Sequence, residues 1–459
     1  MKLWNEKGFY RYVLALALPI MLQNGVTNFV GLLDNIMIGR IGTEQMSGVA
    51  IINQLLFVFN ITLFGATAGP GIFTSQFHGR GSADGVRQTF RFKLIACLGF
   101  CAAGIGVFLG FGNSLIQAWL HDTGSGDLAL TLQSAQDYLQ VMLFGLVPFA
   151  FKEIYASTLR ETGETVVPMK AAVSAVGINL ILNYILIFGK LGLPALGVVG
   201  AAIATVVSRV AECAIVVVYT HRHSDTHPYI QGVYRSLRIR PALAADIVRK
   251  GLPLLFNELL WSTSMAMLSR CYSERGLAVV AGYNISCAVT NVSCVFFLAL
   301  GQVTAIIIGN LLGAGKTEDA RRTAPRMLGF STAVCAGVGL VQIALSGVFP
   351  LLYNTSDEIR DLARWFILIH GCFQPIFAIT NCEYFTLRSG GSVLITFFFD
   401  SIYEWIAAVP VAAALVFGTE LSVTVIFALV LLCEGLKAIL GGIYVRMGKW
   451  VRNLAGQYE

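Results

Sequence analysis

Charge is what this chain has least of. Only 13% of its 459 residues are Asp, Glu, Lys or Arg, against roughly 25% in a soluble domain, a shortage that excludes an ordinary water-exposed surface. Long polar segments are missing as well, so no soluble domain of any size, nucleotide-binding or otherwise, fits between the apolar runs. There is no CxxC and no HExxH, which removes the usual dithiol and zinc-hydrolase constellations. GNLLGAGKT resembles a phosphate-binding loop, but the first glycine such a loop requires is Asn310, and no soluble strand precedes it. It reads as a charged turn. Nothing here makes the chain an enzyme, and a net charge of +6 gives no support to a nucleic-acid partner.

What is present is apolar. Hydrophobic residues make up 56% of the chain, and the mean hydropathy is +0.71. Runs of about 20 residues, enough to cross a bilayer, recur along the whole length. Met1, Lys2, Lys7 and Arg11 precede the first run like a signal peptide, but the run is too long and lacks a cleavage pattern, so it reads as an uncleaved span. Most of the ten cysteines, among them Cys97, Cys101, Cys213, Cys294 and Cys433, fall inside apolar runs and read as small packing residues. His78, His221, His223 and His227 read as solvated loop residues of a flexible region, without a metal.

The chain repeats itself. Pro19 and Pro253 lie 234 positions apart (253 − 19), and the same gapless offset pairs Leu18 with Leu252, Gly42 with Gly276, Gly48 with Gly282 and Ile51 with Ile285. It continues through Gly79 with Gly313, Gly81 with Gly315, Arg87 with Arg321, Thr89 with Thr323 and Leu94 with Leu328. The pattern predicts an all-α integral membrane protein of twelve transmembrane helices in two homologous six-helix lobes. Expected spans are 10–38, 47–77, 88–113, 130–157, 165–189 and 194–220, then 246–272, 278–312, 324–352, 358–387, 393–417 and 422–446. The amino-terminal lobe is 1–220, a polar linker covers 221–244, and the carboxy-terminal lobe is 245–459.

Lys and Arg gather at alternate turns, including Arg80, Arg87, Arg91, Arg160, Arg238, Arg321, Arg388 and Arg446, whereas the opposite ends offer little beyond Arg40, Lys190, Arg270, Arg275, Arg360 and Arg364. The positive-inside bias then places both termini in the cytoplasm. An even number of helices per half makes the repeats parallel, with a substrate cavity expected between them near the midplane.

These residues carry a family resemblance. LPIMLQNGVTNFVGLLDNIMIGRIGTEQMSGVAI, the paired loops FHGRGSADGVRQT and LLGAGKTEDARRT, INLILNYILIFGKLGLPALGVVGAAIATVVSR, and TLRSGG followed by DSIYEWIAAVPVAA resemble the multidrug and toxic compound extrusion (MATE) family over nearly the whole chain. The resemblance implies an antiporter of the cell membrane, a monomer, that expels organic, often cationic, small molecules as H+ or Na+ enters. It needs no cofactor. The class alternatives are a lipid or lipid-linked-saccharide flippase of the same superfamily, which would prefer a more cationic cavity, and a membrane-embedded enzyme.

An acid at bilayer depth has a functional default reading. The LLDNIMIGR match carries the family's amino-lobe coupling carboxylate to Asp34, with Gln23, Asn24, Asn28 and Asn35 as neutral ligands for a small cation; the bland alternative is a helix-end acid in the headgroups. Asn183, with Asn179 one turn before it, occupies a fifth-helix position where one branch of the family has an acid. In the second lobe Glu258, after Asn257, matches the seventh-helix acid of the family, the alternative being a pair with Arg249 or Lys250. The tenth-helix aspartate of another branch falls near Phe377, and the nearest acid is Glu383. Asp400 and Glu404 are four apart beside Trp405. They form either a surface for an organic cation or a cap near Arg388 with only Glu404 buried. Lys152 with Glu153, Arg209 with Glu212, and Glu434 with Lys437 read as internal neutralising pairs. Gly25 and Gly31 lend the first helix flexible points, and Pro410 is expected to kink the eleventh.

Overall fold

A backbone in lipid must satisfy its own polar groups, and these apolar runs do so as helices. The computed structural model describes residues 6–119 and 127–458. In chain order the helices are α1 (Glu6–Gly39), α2 (Thr43–Arg80), α3 (Ala83–Trp119), α4 (Leu128–Phe144), α5 (Leu146–Glu161), α6 (Val166–Phe188), α7 (Gly197–Arg222), α8 (Pro241–Ser273), α9 (Leu277–Gly313), α10 (Thr317–Leu345), α11 (Asp357–Ser389), α12 (Val393–Phe397), α13 (Val409–Gly418) and α14 (Val423–Arg446).

Among the described residues ten helical stretches, α12 through α13 counting as one, are long and apolar enough to cross a bilayer, and α4 with α5 makes an eleventh span bent by 47°. The bend falls at Gly145, whose carbonyl accepts from Arg209 at 3.5 Å. Helix α8 is long enough at 33 residues but is diluted by Asp246, Arg249, Lys250, Glu258 and Arg270; with it the spans number twelve. Several helices exceed their expected bounds. The 38 residues of α2 rise about 57 Å at 1.5 Å each, well beyond the roughly 30 Å hydrocarbon core.

The chain forms two compact units. One, here the amino lobe, is Leu18–Thr74 with Ala83–Ala244; the other, the carboxy lobe, gathers the start of α1 up to Ala17, Ser75–Ser82 and the chain from Ala245 onward. The repeat is written into both. A Cβ on Gly48 would stand 2.7 Å from the Thr131 carbonyl of α4, and one on Gly282 would stand 2.9 Å from Leu362 Cβ of α11. Gly81 and Gly315 make the following turns with φ of +79° and +74°, a left-handed conformation that glycine adopts without strain. Inside the carboxy lobe the tip of α2 meets α9 backbone to backbone. A Cβ on Gly79 would lie 2.0 Å from the Asn310 carbonyl oxygen, and one on Gly313 would lie 1.8 Å from that of Gln76. Gln76 and Asn310 are themselves 234 apart, so the repeat maps this contact onto itself.

The polar stretch between the halves departs from the expected flexible, solvated linker. Arg91 of α3 donates to the carbonyls of Val233 (2.9 Å), Gly232 (3.1 Å) and Arg238 (3.2 Å), and Arg87 donates to those of Tyr229 and Pro228, both at 3.2 Å. His221 lies 3.0 Å from the Tyr155 hydroxyl, which also bonds Tyr234. His227 is buried, its Nε2 has no partner, and burial holds its pKa below the ordinary 6.5. The polarity of this stretch serves a packed cap on the amino lobe.

Candidate functional site

Two polar constellations lie inside the apolar helices, one in each lobe. In the amino lobe Asp34 comes five residues before the end of α1 and is half-buried. The Asn183 amide of α6 donates to its Oδ1 at 2.6 Å and to Asn179 Oδ1 at 3.1 Å, and Asn179 donates to Thr205 of α7 at 3.4 Å. Both asparagines are buried, and the Asn183 carbonyl oxygen has no hydrogen-bond partner. Tyr138 of α4 lies within electrostatic reach of Asp34 and of Arg209. Among the described residues Asp34 joins no ion pair. The site is therefore a carboxylate beside an open amide oxygen, two acceptors on a chain of amides that ties α1 to α6.

The other amides expected here are placed differently. Gln23, eleven residues before Asp34, shares its helix face at 100° per residue but stands about 16 Å away along the axis; it is buried. Asn24 is half-buried and Asn28 and Asn35 are exposed, and their helical angles aim them off the Asp34 face. Asn183 and Asn179 thus meet Asp34, and the four amides of α1 do not surround it.

In the carboxy lobe the eleventh span is α12, two π-helical stretches at Phe398–Ile402 and Glu404–Ala408, and α13. Pro410 follows directly, and its ring and missing N–H disturb the turn before it; the outcome is a widened segment rather than a simple kink. The widened turns hold Asp400 and Glu404 toward Lys437 of α14, at 2.7 and 3.0 Å, with Glu434 at 3.5 Å from the same ammonium. Asp400 also accepts from Asn257 of α8 at 2.9 Å, and the Ser401 hydroxyl donates to the Asn257 side-chain oxygen at 2.8 Å. Trp405 donates its indole N–H to the Leu260 carbonyl at 3.1 Å.

Of the two readings of Asp400 and Glu404, the cation surface does not form, and of the other only its burial pattern holds: Glu404 is buried and Asp400 is half-buried. The two acids share a buried lysine instead of presenting an open face to an organic cation, and the Trp405 ring packs into the apolar core of the lobe. Neither acid caps a helix near Arg388. Glu258 is half-buried and within electrostatic reach of Arg388 and Asp400, while Lys250, one of its suggested partners, instead donates to the Gly391 carbonyl at 3.2 Å. Glu383 is buried on another face of α11 against Gly441 and Gly442, apart from this network. Of the neutralising pairs, Lys152–Glu153 (3.2 Å) and Lys437–Glu434 form. Arg209 lies over the Phe149 ring instead, and Glu212 meets Lys152 at 4.0 Å.

Sequence reasoning missed Tyr138, Thr205, Ser401 and Tyr384, whose hydroxyl accepts from Asn257 at 3.4 Å, as members of these networks, and missed that Lys437 serves Asp400 and Glu404. Spacing along one helix found Glu434 with Lys437, but contacts between helices leave no local pattern.

The MatE family profile matches residues 19–185 and 253–414. Among curated relatives, the probable multidrug resistance protein NorM of Thermotoga maritima is 26% identical over 408 residues, covering 88% of this chain and 85% of its own. The multidrug resistance protein MdtK of Edwardsiella ictaluri is 23% identical over 424 residues, with 92% and 90% covered. Among solved structures, a MATE family transporter of the MOP superfamily in an outward-facing conformation superposes with a TM-score of 0.83 at 21% identity, over 95% of this chain and 94% of that one. A MOP superfamily transporter from Pyrococcus furiosus, for which a binding pocket of reverse polarity and a different function are described, gives 0.81 at 19% identity over 95% of each chain.

Proposed function

The chain belongs to the MatE family, and from that premise we propose that it is a secondary active efflux transporter, expelling organic cations by antiport with H+ or Na+ through alternating access. The reading places it in the plasma membrane as a monomer with both termini cytoplasmic. The names of its relatives support export of small molecules from the cell; the coupling step is argued from the amino lobe.

The carrying observation is Asp34 on α1 with the buried Asn183 of α6 at 2.6 Å. With Asp34 ionised, that bond is charge-assisted and about twice as strong as a neutral one. A proton on the carboxylate, or a sodium ion shared between it and the open Asn183 oxygen, weakens or replaces the bond. The occupant thereby changes how firmly α1 is held to α6. A ligand shifts a conformational equilibrium only by such a difference between states. Glu258 is the acid proposed for the carboxy lobe, within electrostatic reach of Arg388 and Asp400.

The test is efflux of a fluorescent organic cation from proteoliposomes with a sodium gradient and a proton gradient imposed separately on wild type and Asp34→Asn. One gradient should drive wild-type export, and the variant should fold, insert and lose that response. Normal gradient-driven transport by Asp34→Asn would refute the coupling role.

A further inference from the structure

Glu383 is buried to 3% exposure, its Oε2 has no hydrogen-bond partner, and it borders a cavity of about 610 Å³ lying wholly within the carboxy lobe between α10, α11 and α14. A buried carboxylate without a partner is relieved either by a proton or by a cationic group brought to it, and the cavity gives such a group access. The space around it is made by glycine: a Cβ on Gly441 would stand 2.2 Å from Oε2 and one on Gly442 would stand 3.2 Å from Oε1.

The cavity has a second charged feature. Arg321, in the first turns of α10, and Arg446, the last residue of α14, also line it, and neither meets a carboxylate among the described residues. Arg446 follows Gly442 by four residues, about 6 Å of helix rise, so the guanidiniums stand at the mouth and the carboxylate one turn deeper. Most of the remaining wall is apolar, with Leu328 on one side and Ile439 and Ile443 on the other. Ile439 and Ile443 are outward-facing, 61% and 50% exposed, as residues that meet acyl chains are.

A simple cation would have to pass two arginines, and a simple anion would end against a buried acid. A zwitterion whose anionic group precedes its ammonium along an apolar chain fits both ends. We propose that this cavity is a binding site for an ethanolamine phospholipid, its phosphate on Arg321 and Arg446, its ammonium on Glu383, and its acyl chains along Leu328, Ile439 and Ile443. A primary ammonium brings N–H donors to the carboxylate; a trimethylated headgroup has none to give.

The experiment is native mass spectrometry of the purified full chain, delipidated and offered equal amounts of phosphatidylethanolamine, phosphatidylcholine and phosphatidylglycerol with matched acyl chains. Wild type should bind phosphatidylethanolamine at least about tenfold better than either competitor, the factor one charge-assisted hydrogen bond supplies. Glu383→Gln, an isosteric change, should abolish the preference over phosphatidylglycerol. Arg446→Gln, at the exposed helix end, should weaken phosphatidylethanolamine and phosphatidylglycerol together. Equal binding of the three lipids by wild type, or a preference kept by Glu383→Gln, would overturn the proposal. Dodecylamine binding as tightly as phosphatidylethanolamine would remove the phosphate half and overturn it too. Binding is read without a gradient or an exported compound, so its failure and failure of the antiport reading are separate results.

Discussion

Lys437 is the one ammonium shared by three carboxyl groups, and its removal should be costly. Its ammonium is 2.7 Å from Asp400, 3.0 Å from Glu404 and 3.5 Å from Glu434, and the four side chains are only 5%, 17%, 2% and 14% exposed. In Lys437→Met the methionine fills much the same volume, so the change is chiefly electrostatic. Asp400 retains the Asn257 amide at 2.9 Å. Glu404 and Glu434 retain mainly one another. Breaking a buried pair by removing one partner costs about 3–5 kcal/mol, and we expect the loss to fall in that range. The assay is reversible unfolding of the purified protein in mixed micelles. Glu404→Gln introduced alongside Lys437→Met should restore part of the loss, giving a coupling energy above the roughly 0.5 kcal/mol scatter of independent sites. A Lys437→Met protein within about 1 kcal/mol of wild type, or strict additivity with Glu404→Gln, would refute the shared-lysine account.

Two further expectations follow from the packing. Gly313→Ala puts a methyl 1.8 Å from the Gln76 carbonyl, and Gly79→Ala puts one 2.0 Å from that of Asn310; each should destabilise by about 1–3 kcal/mol, the two by similar amounts, and an unfolding free energy unchanged in either would contradict the contact. His227 is kept below its ordinary pKa by burial, opposed by Glu164 and assisted by His223, so the unfolded chain takes up the proton first. The stability of the 221–240 cap should therefore be full above about pH 6.5 and fall as the pH drops, visible as lower hydrogen-exchange protection factors in that stretch once the intrinsic rate is divided out. His227→Gln should flatten the dependence, and a wild-type cap equally protected at pH 5.5 and 7.5 would refute it.

The periodic features were legible without coordinates because they are local or repeated. The apolar runs name the spans, and the 234-residue offset predicts that Gly81 and Gly315 occupy equivalent turns, as their matching φ angles show. Asp34 stands out as one carboxylate in an apolar helix. Asn183 is marked only by the resemblance; that it meets Asp34, 149 positions away, is not, because an amide in a helix carries no signal of what it faces. Asp400 and Glu404 looked available for the same reason: Lys437 is 33 residues beyond Glu404, and an i, i+4 rule sees only one helix. The polar stretch after α7 misled in the opposite direction. Polarity usually marks solvent, but here Arg87 and Arg91 turn it into carbonyl acceptors for a packed cap.

The reciprocal glycine contact also bears on descent. Because the 234-residue offset exchanges Gly79 with Gly313 and Gln76 with Asn310, the two close approaches would have been one in a chain half this length. Such a chain meeting a second copy of itself through that residue forms an isologous interface, in which each partner offers the same patch to the other. In such a dimer the constraint on the contact is doubled, because one residue supplies both sides of it. A change at that ancestral glycine would have struck both sides of the dimer at once, whereas the fused chain allows each side to be altered separately. Both positions nevertheless remain glycine in this sequence.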